Sequence, residues 1–317
     1  MIMDKDSRKR VLNKVIGTVL AVLLLCGCGG GNMSEEQMDM MTFDPDDPYV
    51  CPEIEGVTFE KETAKAEDEV VFDAGHSEQG YAGVSAISSR RLKLRVLKKD
   101  SGEYYDYDLF NDGKVCFYPL QMGNGEYTLT VYRNIEDNKY AALSYVDVDV
   151  TLTDEFQPYL HASIYVDYDS TSDCVKKAQE LARSASTAPQ VIKNVYDFIC
   201  RTVTYDRKKV KDLPTGYLPD PDETMNTGKG ICFDYASLAA AMLRSQGIPC
   251  KLIMGNVSPN DVYHAWNMFY TEETGWITVK FEVKENNWTR LDLTFSANGE
   301  DADFIGDGEN YTDMKEF

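Results

Sequence analysis

The sequence contains few histidines and few basic residues, and both shortages exclude classes of function. Its three histidines, His76, His161 and His264, do not cluster with the cysteines, which include no Cys-x-x-Cys pair. Zinc sites need such clusters, so we expect no metal and no cofactor. The 32 lysines and arginines are outnumbered by 53 aspartates and glutamates. Because phosphate binding requires basic clusters, we also expect no nucleic acid partner.

A long apolar run is absent as well, and the short one that is present is typical of an export signal. Residues 15–25 form an apolar run of 11 residues, whereas a bilayer span needs roughly 20. The run follows five basic residues and precedes Cys26-Gly27-Cys28, which resembles a bacterial lipobox. Cys28 follows a small residue, whereas Cys26 follows the bulky Leu25 and fits poorly. We therefore expect a lipoprotein signal peptide over residues 1–27 and a lipid on Cys28; an ordinary cleaved signal is the alternative.

The mature chain is then expected outside the cytoplasm, anchored by its lipid to the bacterial cell membrane. Residues 28–49 are rich in glycine and then in acidic residues, a composition that predicts a disordered tether. Without residues 1–27 the chain keeps 27 basic and 51 acidic residues. Such an excess of negative charge favours solubility. Export permits disulfides, but the sequence does not choose partners among the six cysteines that follow Cys28.

Residues 50–169 have the pattern of an antiparallel β-sandwich domain. Leu92, Leu94 and Val96 alternate with charged residues, and residues 126–133 and 145–152 alternate in the same way. Turn residues separate these runs, which predicts an immunoglobulin-like sandwich. The region shows no catalytic constellation, and its sequence does not identify a ligand.

Residues 170–317 show helical periodicity first and strand periodicity afterwards. Two helices are expected between residues 172 and 203, followed by an irregular segment over residues 206–227. A third, apolar helix begins near Cys232 and ends at Gly247-Ile248-Pro249. Strand-like runs then continue to residue 295. Helices followed by strands predict an α+β domain.

Cys232 stands where a glycine-punctuated loop turns into the third helix. The backbone N–H groups and the dipole at a helix start stabilise a thiolate. The apolar residues behind Cys232 would anchor the helix on a core. Taken alone, however, a lone cysteine is more often a small buried core residue than a nucleophile.

A nucleophilic thiol needs a base, and the base needs an orienting group. His264 opens a predicted strand at a position suited to a cleft. Asp292 interrupts an apolar strand, and a buried carboxylate needs a partner. Either an imidazole or Arg290 would serve as that partner. The order Cys232, His264, Asp292 therefore gives a hypothesis of a catalytic triad, which spacing alone does not prove.

Three segments resemble the blocks of the transglutaminase-like superfamily, a papain-like fold found in transglutaminases, peptide N-glycanases and bacterial extracytoplasmic proteins. They are GKGICFDYASLAAAMLRSQGIPCKLIMGNV, YHAWNMFY with GWITV, and WTRLDLTF. The resemblance covers residues 190–296 and implies a transglutaminase-like catalytic domain over residues 170–317. It implies Cys232 as the nucleophile, His264 as the base and Asp292 as the orienting acid. Leu293 stands where the family often has proline.

The resemblance implies acyl transfer through a thioester, with hydrolysis by a peptidase or amidase favoured over cross-linking. A peptide or protein is the expected substrate, and the location makes cell-wall peptide a candidate. The backbone N–H of Cys232 is the expected oxyanion donor. Tyr217 and Trp266 are candidates for a second donor or for the cleft wall, although both also fit packing roles. The alternative is a non-catalytic binding or scaffold lipoprotein of the cell surface that retains the fold.

Overall fold

The computed structural model describes residues 43–53, 56–61, 64–67, 69–257, 262–272, 275–277, 280–282, 288–290 and 311–317. Cys28, Asp292 and the predicted signal peptide lie outside the described residues. The chain divides into two compact units. Unit 1 consists of Met1–Ile54, Tyr168–Leu213 and Pro219–Glu316, and unit 2 of Glu55–Asp167, Pro214–Leu218 and Phe317.

Unit 2 contains two four-stranded antiparallel sheets. Its strands are β1 (Lys65–Glu67), β2 (Val70–Asp73), β3 (Tyr81–Ala86), β4 (Leu92–Lys98), β5 (Tyr104–Leu109), β6 (Cys116–Pro119), β7 (Gly125–Glu136) and β8 (Lys139–Val150). One sheet has the order β1-β2-β3-β6 and the other β5-β4-β7-β8. Leu92, Leu94 and Val96 are all buried, as their alternation predicts, and Val96 lies opposite Leu129 of β7. An immunoglobulin-like sandwich stays a prediction.

Unit 1 combines five helices with short strand pairs and one larger sheet among its described residues. The helices are α1 (Asp173–Ala182), α2 (Ala188–Thr202), α3 (Arg207–Lys211), α4 (Pro221–Thr227) and α5 (Cys232–Arg244). The strands are β9 (Thr204–Tyr205), β10 (Lys229–Gly230), β11 (Cys250–Val257), β12 (Val262–Thr271), β13 (Gly275–Ile277), β14 (Lys280–Glu282), β15 (Trp288–Arg290) and β16 (Tyr311–Glu316). The larger sheet has the order β13-β12-β11-β16, while β9 pairs with β10 and β14 with β15. The protein is therefore of mixed α and β class.

Local sequence explains where the helices of unit 1 begin. The side chain of Thr187 accepts a hydrogen bond from the Gln190 N–H, so α2 starts where the sequence predicts it. The segment predicted to be irregular, residues 206–227, instead contains α3 and α4. Asp220 caps α4 by accepting the Glu223 N–H at 2.9 Å, and proline follows it at the first helical position. Aspartate followed by proline is a helix-start signature, which accounts for this difference.

Helix α5 forms the centre of unit 1. Every residue from Asp234 to Arg244 is buried, and the helix packs against α1, α2, α4, β11 and β12. At its end the fully buried Arg244 donates from Nε to the carbonyl of Cys250 at 2.9 Å, which ties the helix to the first strand of the sheet. None of the described helices has the length and apolar character that crossing a membrane requires.

The chain segment before unit 2 also belongs to unit 1. The Tyr49 N–H donates to the carbonyl of Ala185 at 2.7 Å, and the Tyr49 hydroxyl donates to the carbonyl of Gln246 at 2.9 Å. Asp44 bonds to the hydroxyl of Ser186 through its N–H at 2.8 Å. Residues 44–49, which composition placed in the predicted tether, therefore make specific contacts near the ends of α1 and α5.

Candidate active site

The loop that leads into Cys232 is held by the short parallel pair β9 and β10. The Thr204 N–H donates to the carbonyl of Gly228 at 2.9 Å, and the Asp206 N–H donates to the carbonyl of Gly230 at 2.8 Å. Gly228 ends α4 in the left-handed conformation, with φ of 62°, which glycine adopts without strain. Both glycines of the loop are thus fixed before the helix begins.

Gly230 also permits a close approach between the loop and the first turn of α5. A Cβ at residue 230 would lie 2.7 Å from Cβ of Asp234 and 3.2 Å from Cγ2 of Thr224. Neither neighbour is the far end of a flexible side chain, so a larger residue would displace the backbone beside Cys232.

We expect Gly230→Ala to lower the free energy of unfolding by about 1–3 kcal/mol, as overpacking at a rigid position does. Urea denaturation measures the change. Gly56→Ala is the matched control, because a Cβ at residue 56 meets nothing within 4 Å. Equal effects of the two substitutions would contradict the steric account.

Cys232 is the first residue of α5 and is half-buried. At this position the backbone N–H has no acceptor within the helix. In the part of the chain that the structure describes, no other acceptor takes this N–H, and Sγ makes no hydrogen bond. Cys232 therefore presents a thiol and a donor N–H at the positive end of the helix dipole, where developing negative charge is stabilised.

An ion pair between a buried carboxylate and a partly exposed lysine lies just after Cys232 in the chain. Asp234 is 0% exposed, and its Oδ2 accepts the Ile231 N–H at 2.8 Å and contacts Nζ of Lys209 at 2.8 Å. Neither Lys209 nor Asp234 was expected to be a functional residue. An acid at the third helical position is a known signal for capping, and it would have identified Asp234 but not its lysine.

Asn267 joins strand β12 to helix α5. Its Nδ2 donates to the carbonyl of Ala236, one turn after Cys232, at 3.0 Å and to the carbonyl of Lys251 at 3.3 Å. Asn267 is 2% exposed, so these bonds satisfy a buried amide. They fix β12, the strand that carries His264, against the helix that carries Cys232. Sequence reasoning did not identify Asn267 as important.

The start of β12 lies beside Cys232. Burial and, to a lesser degree, the Cys232 thiol raise the pKa of the Tyr263 hydroxyl above its usual range. The Tyr263 hydroxyl donates to Sδ of Met254 at 3.2 Å, and the residue remains 61% exposed. His264 follows directly and is 5% exposed. Tyr263 and His264 therefore lie at the start of the strand that Asn267 bonds to α5.

The imidazole of His264 shares a strand face with Trp266. Their rings are nearly parallel, at 21°, with centroids 6.4 Å apart. Successive side chains of a strand alternate between faces, so Tyr263 and Asn267 occupy the other face. The described residues show no hydrogen bond between the imidazole and Sγ of Cys232. Trp266 is 1% exposed and packs with Ile253, a position that suits a wall residue.

The remaining candidates are Tyr217, Asp292 and Cys28. Tyr217 belongs to unit 2, where its N–H donates to the carbonyl of Pro214 at 3.2 Å. Asp292 and Cys28 lie outside the described residues, and their predicted roles stay predictions. Within the described part of the chain, no three His, Cys, Asp or Glu side chains are placed to hold a metal ion.

The other cysteines differ from Cys232 in environment. The six described cysteines form no disulfide with one another. Burial raises the pKa of Cys116 to about 11 and that of Cys250 to about 12, and it also raises the pKa of Cys174. Thiols with such values remain protonated near neutral pH and are poor nucleophiles.

Comparison with known proteins finds partial similarities in sequence and in structure. A 62-residue segment is 34% identical to the UPF0252 protein MJ1282 of Methanocaldococcus jannaschii, covering 18% of each chain. Similar solved structures include one from Cytophaga hutchinsonii with a provisional cysteine-protease description, at 14% identity over 75% of this chain and 79% of that one, with a TM-score of 0.38. Red sea bream transglutaminase is 13% identical, with 68% and 48% covered and a TM-score of 0.27.

The family model named Transglutaminase-like superfamily matches residues 175–281, a segment that includes α5 and β12. Cys232 and His264 both lie within the matched residues, whereas Asp292 lies beyond them. The match confirms the resemblance seen in the sequence blocks. Residues 175–281 are therefore similar to the transglutaminase-like superfamily.

Proposed function

We propose that this protein is a membrane-anchored cysteine peptidase or amidase that uses Cys232, His264 and Asp292. The observation that carries the proposal is the position of Cys232, half-buried at the first residue of α5 with its N–H not taken by any described acceptor. That placement supplies both a nucleophile and an oxyanion donor at one residue. The match of residues 175–281 to the transglutaminase-like superfamily supports the same chemistry.

In the proposed reaction the Cys232 thiolate attacks the carbonyl carbon of an amide. The carbonyl oxygen becomes an oxyanion that the Cys232 N–H stabilises. The C–N bond then breaks, the leaving amine takes a proton from the His264 imidazolium, and a thioester remains. Water attacks the thioester, His264 accepts its proton, and the acid product and the free thiolate are released. Asp292 is assigned the orientation of the imidazole, on the family resemblance.

His264 must come within hydrogen-bonding distance of Sγ for this chemistry. Catalytic hydrogen bonds are often long or poorly aligned in the absence of substrate and tighten in the reactive complex. The anchoring of β12 to α5 through Asn267 supports the proposal, because it fixes the backbone of the base near that of the nucleophile.

Hydrolysis is favoured over transfer because water needs no acceptor site of its own. The proposed lipid on Cys28 would restrict the enzyme to substrates outside the cytoplasm, such as cell-wall peptides or surface proteins. Unit 2 is proposed as an immunoglobulin-like module that accompanies the catalytic unit.

Product analysis on a library of peptides and glutamine amides tests the proposal. We expect the wild-type protein to release ammonia or amines with equal amounts of carboxylic acid, and to incorporate little of an added primary amine. Mass spectrometry of the products separates hydrolysis from transfer. Cys232→Ala gives the background.

If the protein preferentially incorporates the added amine, the proposed reaction becomes cross-linking in place of hydrolysis. Cys232 remains the proposed nucleophile in that case. No product above the Cys232→Ala background would instead support the non-catalytic binding or scaffold protein. Alkylation of the intact protein distinguishes an unreactive Cys232 from a library that lacks the right substrate. Iodoacetamide reacts with the thiol directly, so it reports the reactivity of Cys232 when no substrate is present.

A further inference from the structure

Residues 204–211 hold the start of α5 at two points on either side of Cys232. Before Cys232, the N–H groups of Thr204 and Asp206 donate to the carbonyls of Gly228 and Gly230. After it, Lys209 of α3 reaches Oδ2 of Asp234 at 2.8 Å. Asp206 caps α3 by accepting the N–H groups of Lys208 and Lys209, which orients the lysine. One segment of the chain therefore supports both flanks of the nucleophile candidate.

The proposed mechanism does not use this ion pair, yet its placement bears on the thiolate. Asp234 is two residues after Cys232 in the same helical turn and is fully buried. A carboxylate in such a site disfavours a second negative charge nearby, because the interaction is weakly screened away from water. The Lys209 ammonium offsets that charge while the carboxylate still accepts the Ile231 N–H.

We propose that Lys209 is a positioning residue that acts through Asp234: by neutralising this buried carboxylate, it allows Asp234 to cap α5 without opposing the Cys232 thiolate. The inference rests on the proposed function, since it concerns the reactivity of the same cysteine. Removing both charges while keeping the cap would then preserve reactivity, whereas removing the lysine alone would not.

The test compares Lys209→Met, Lys209→Arg, Asp234→Asn and the double variant Lys209→Met/Asp234→Asn in the full chain. The asparagine side chain keeps an oxygen that accepts the Ile231 N–H. Iodoacetamide alkylation at Cys232 is followed by mass spectrometry at pH 7. For each protein, the ultraviolet absorbance of the Cys232 thiolate is obtained by subtracting the spectrum of the same protein with the additional substitution Cys232→Ser. Lys208→Met is the matched control, because Lys208 is the exposed neighbour in the same helix.

Lys209→Met is expected to slow alkylation of Cys232 by about tenfold or more and to weaken the thiolate band, a loss equivalent to one pH unit. Lys209→Arg, Asp234→Asn and the double variant are expected within about threefold of the wild type. A purely structural role would lower the melting temperature without changing the thiolate band of the folded fraction.

A folded Lys209→Met variant that reacts like the wild type would overturn the inference. If that variant does not fold, the double variant decides, and a loss of tenfold or more in it overturns the inference. A wild-type Cys232 that reacts no faster than the exposed Cys51 and shows no thiolate band would overturn the proposed function, and the inference with it.

Discussion

On the proposed function, Cys232→Ala is expected to lower kcat/KM for amide hydrolysis by at least about 10⁴-fold, as removal of the nucleophile does in enzymes with a catalytic triad. The free energy of unfolding is expected to change by less than about 1 kcal/mol, because the half-buried side chain makes no hydrogen bond among the described residues. Steady-state kinetics on the best substrate of the library and urea denaturation measure the two quantities.

His264→Ala is expected to cause a loss of similar size, and the double variant should be no slower than either single one. Residues that act as one unit show such non-additivity, whereas independent contributions would multiply. Cys51→Ala is the control, since Cys51 is an exposed cysteine of unit 1. A double variant slower by the product of the two single effects would show that Cys232 and His264 do not act together.

Raising the pH from 9 to 11 is expected to destabilise unit 1 by about 2–3 kcal/mol through Cys250 alone. Burial raises the pKa of Cys250 from its ordinary value of 9.0 to about 12. The unfolded chain therefore loses this proton above pH 9 while the native protein keeps it until about pH 12. Since the native state then binds more protons than the unfolded state, stability falls with rising pH, and each pKa unit corresponds to about 1.4 kcal/mol.

Urea denaturation at pH 8, 9, 10 and 11 measures this effect. Cys250→Ala is expected to be less stable at pH 8, since a fully buried side chain is truncated. Its stability should nevertheless fall less steeply between pH 9 and 11. The remaining slope includes Cys174, a second thiol of unit 1 whose pKa burial also raises. Parallel curves for the variant and the wild type would show that the Cys250 thiol is not the group responsible.

Periodicity and capping residues allowed most of the regular structure to be predicted. The burial of Leu94 and the start of α2 at Thr187 follow from rules that act over a few neighbouring residues. The start of α5 at Cys232 was visible for the same reason, because glycines before it and apolar residues after it mark a helix boundary. Features of this kind depend on local chemistry, which the sequence displays directly.

The contacts that support the site are not local, and the sequence did not reveal them. Lys209 and Asp234 are separated by the whole of α4, and no spacing rule links a lysine in one segment to an acid in another. The sequence places Asn267 in the YHAWNMFY segment but does not indicate its partner, a carbonyl 31 residues away. The short helices α3 and α4 were missed because five and seven residues are too few to show a period.

The docking of residues 44–49 implies an order of folding. The bonds from Asp44 to Ser186 and from Tyr49 to Gln246 join residues 142 and 197 positions apart. Unit 2 lies almost wholly between these partners in the chain and is synthesised before α5. Contacts of such separation form late, because closing a long loop costs entropy before any bond compensates for it. We expect unit 2 to fold first and unit 1 to close only when its two distant segments meet.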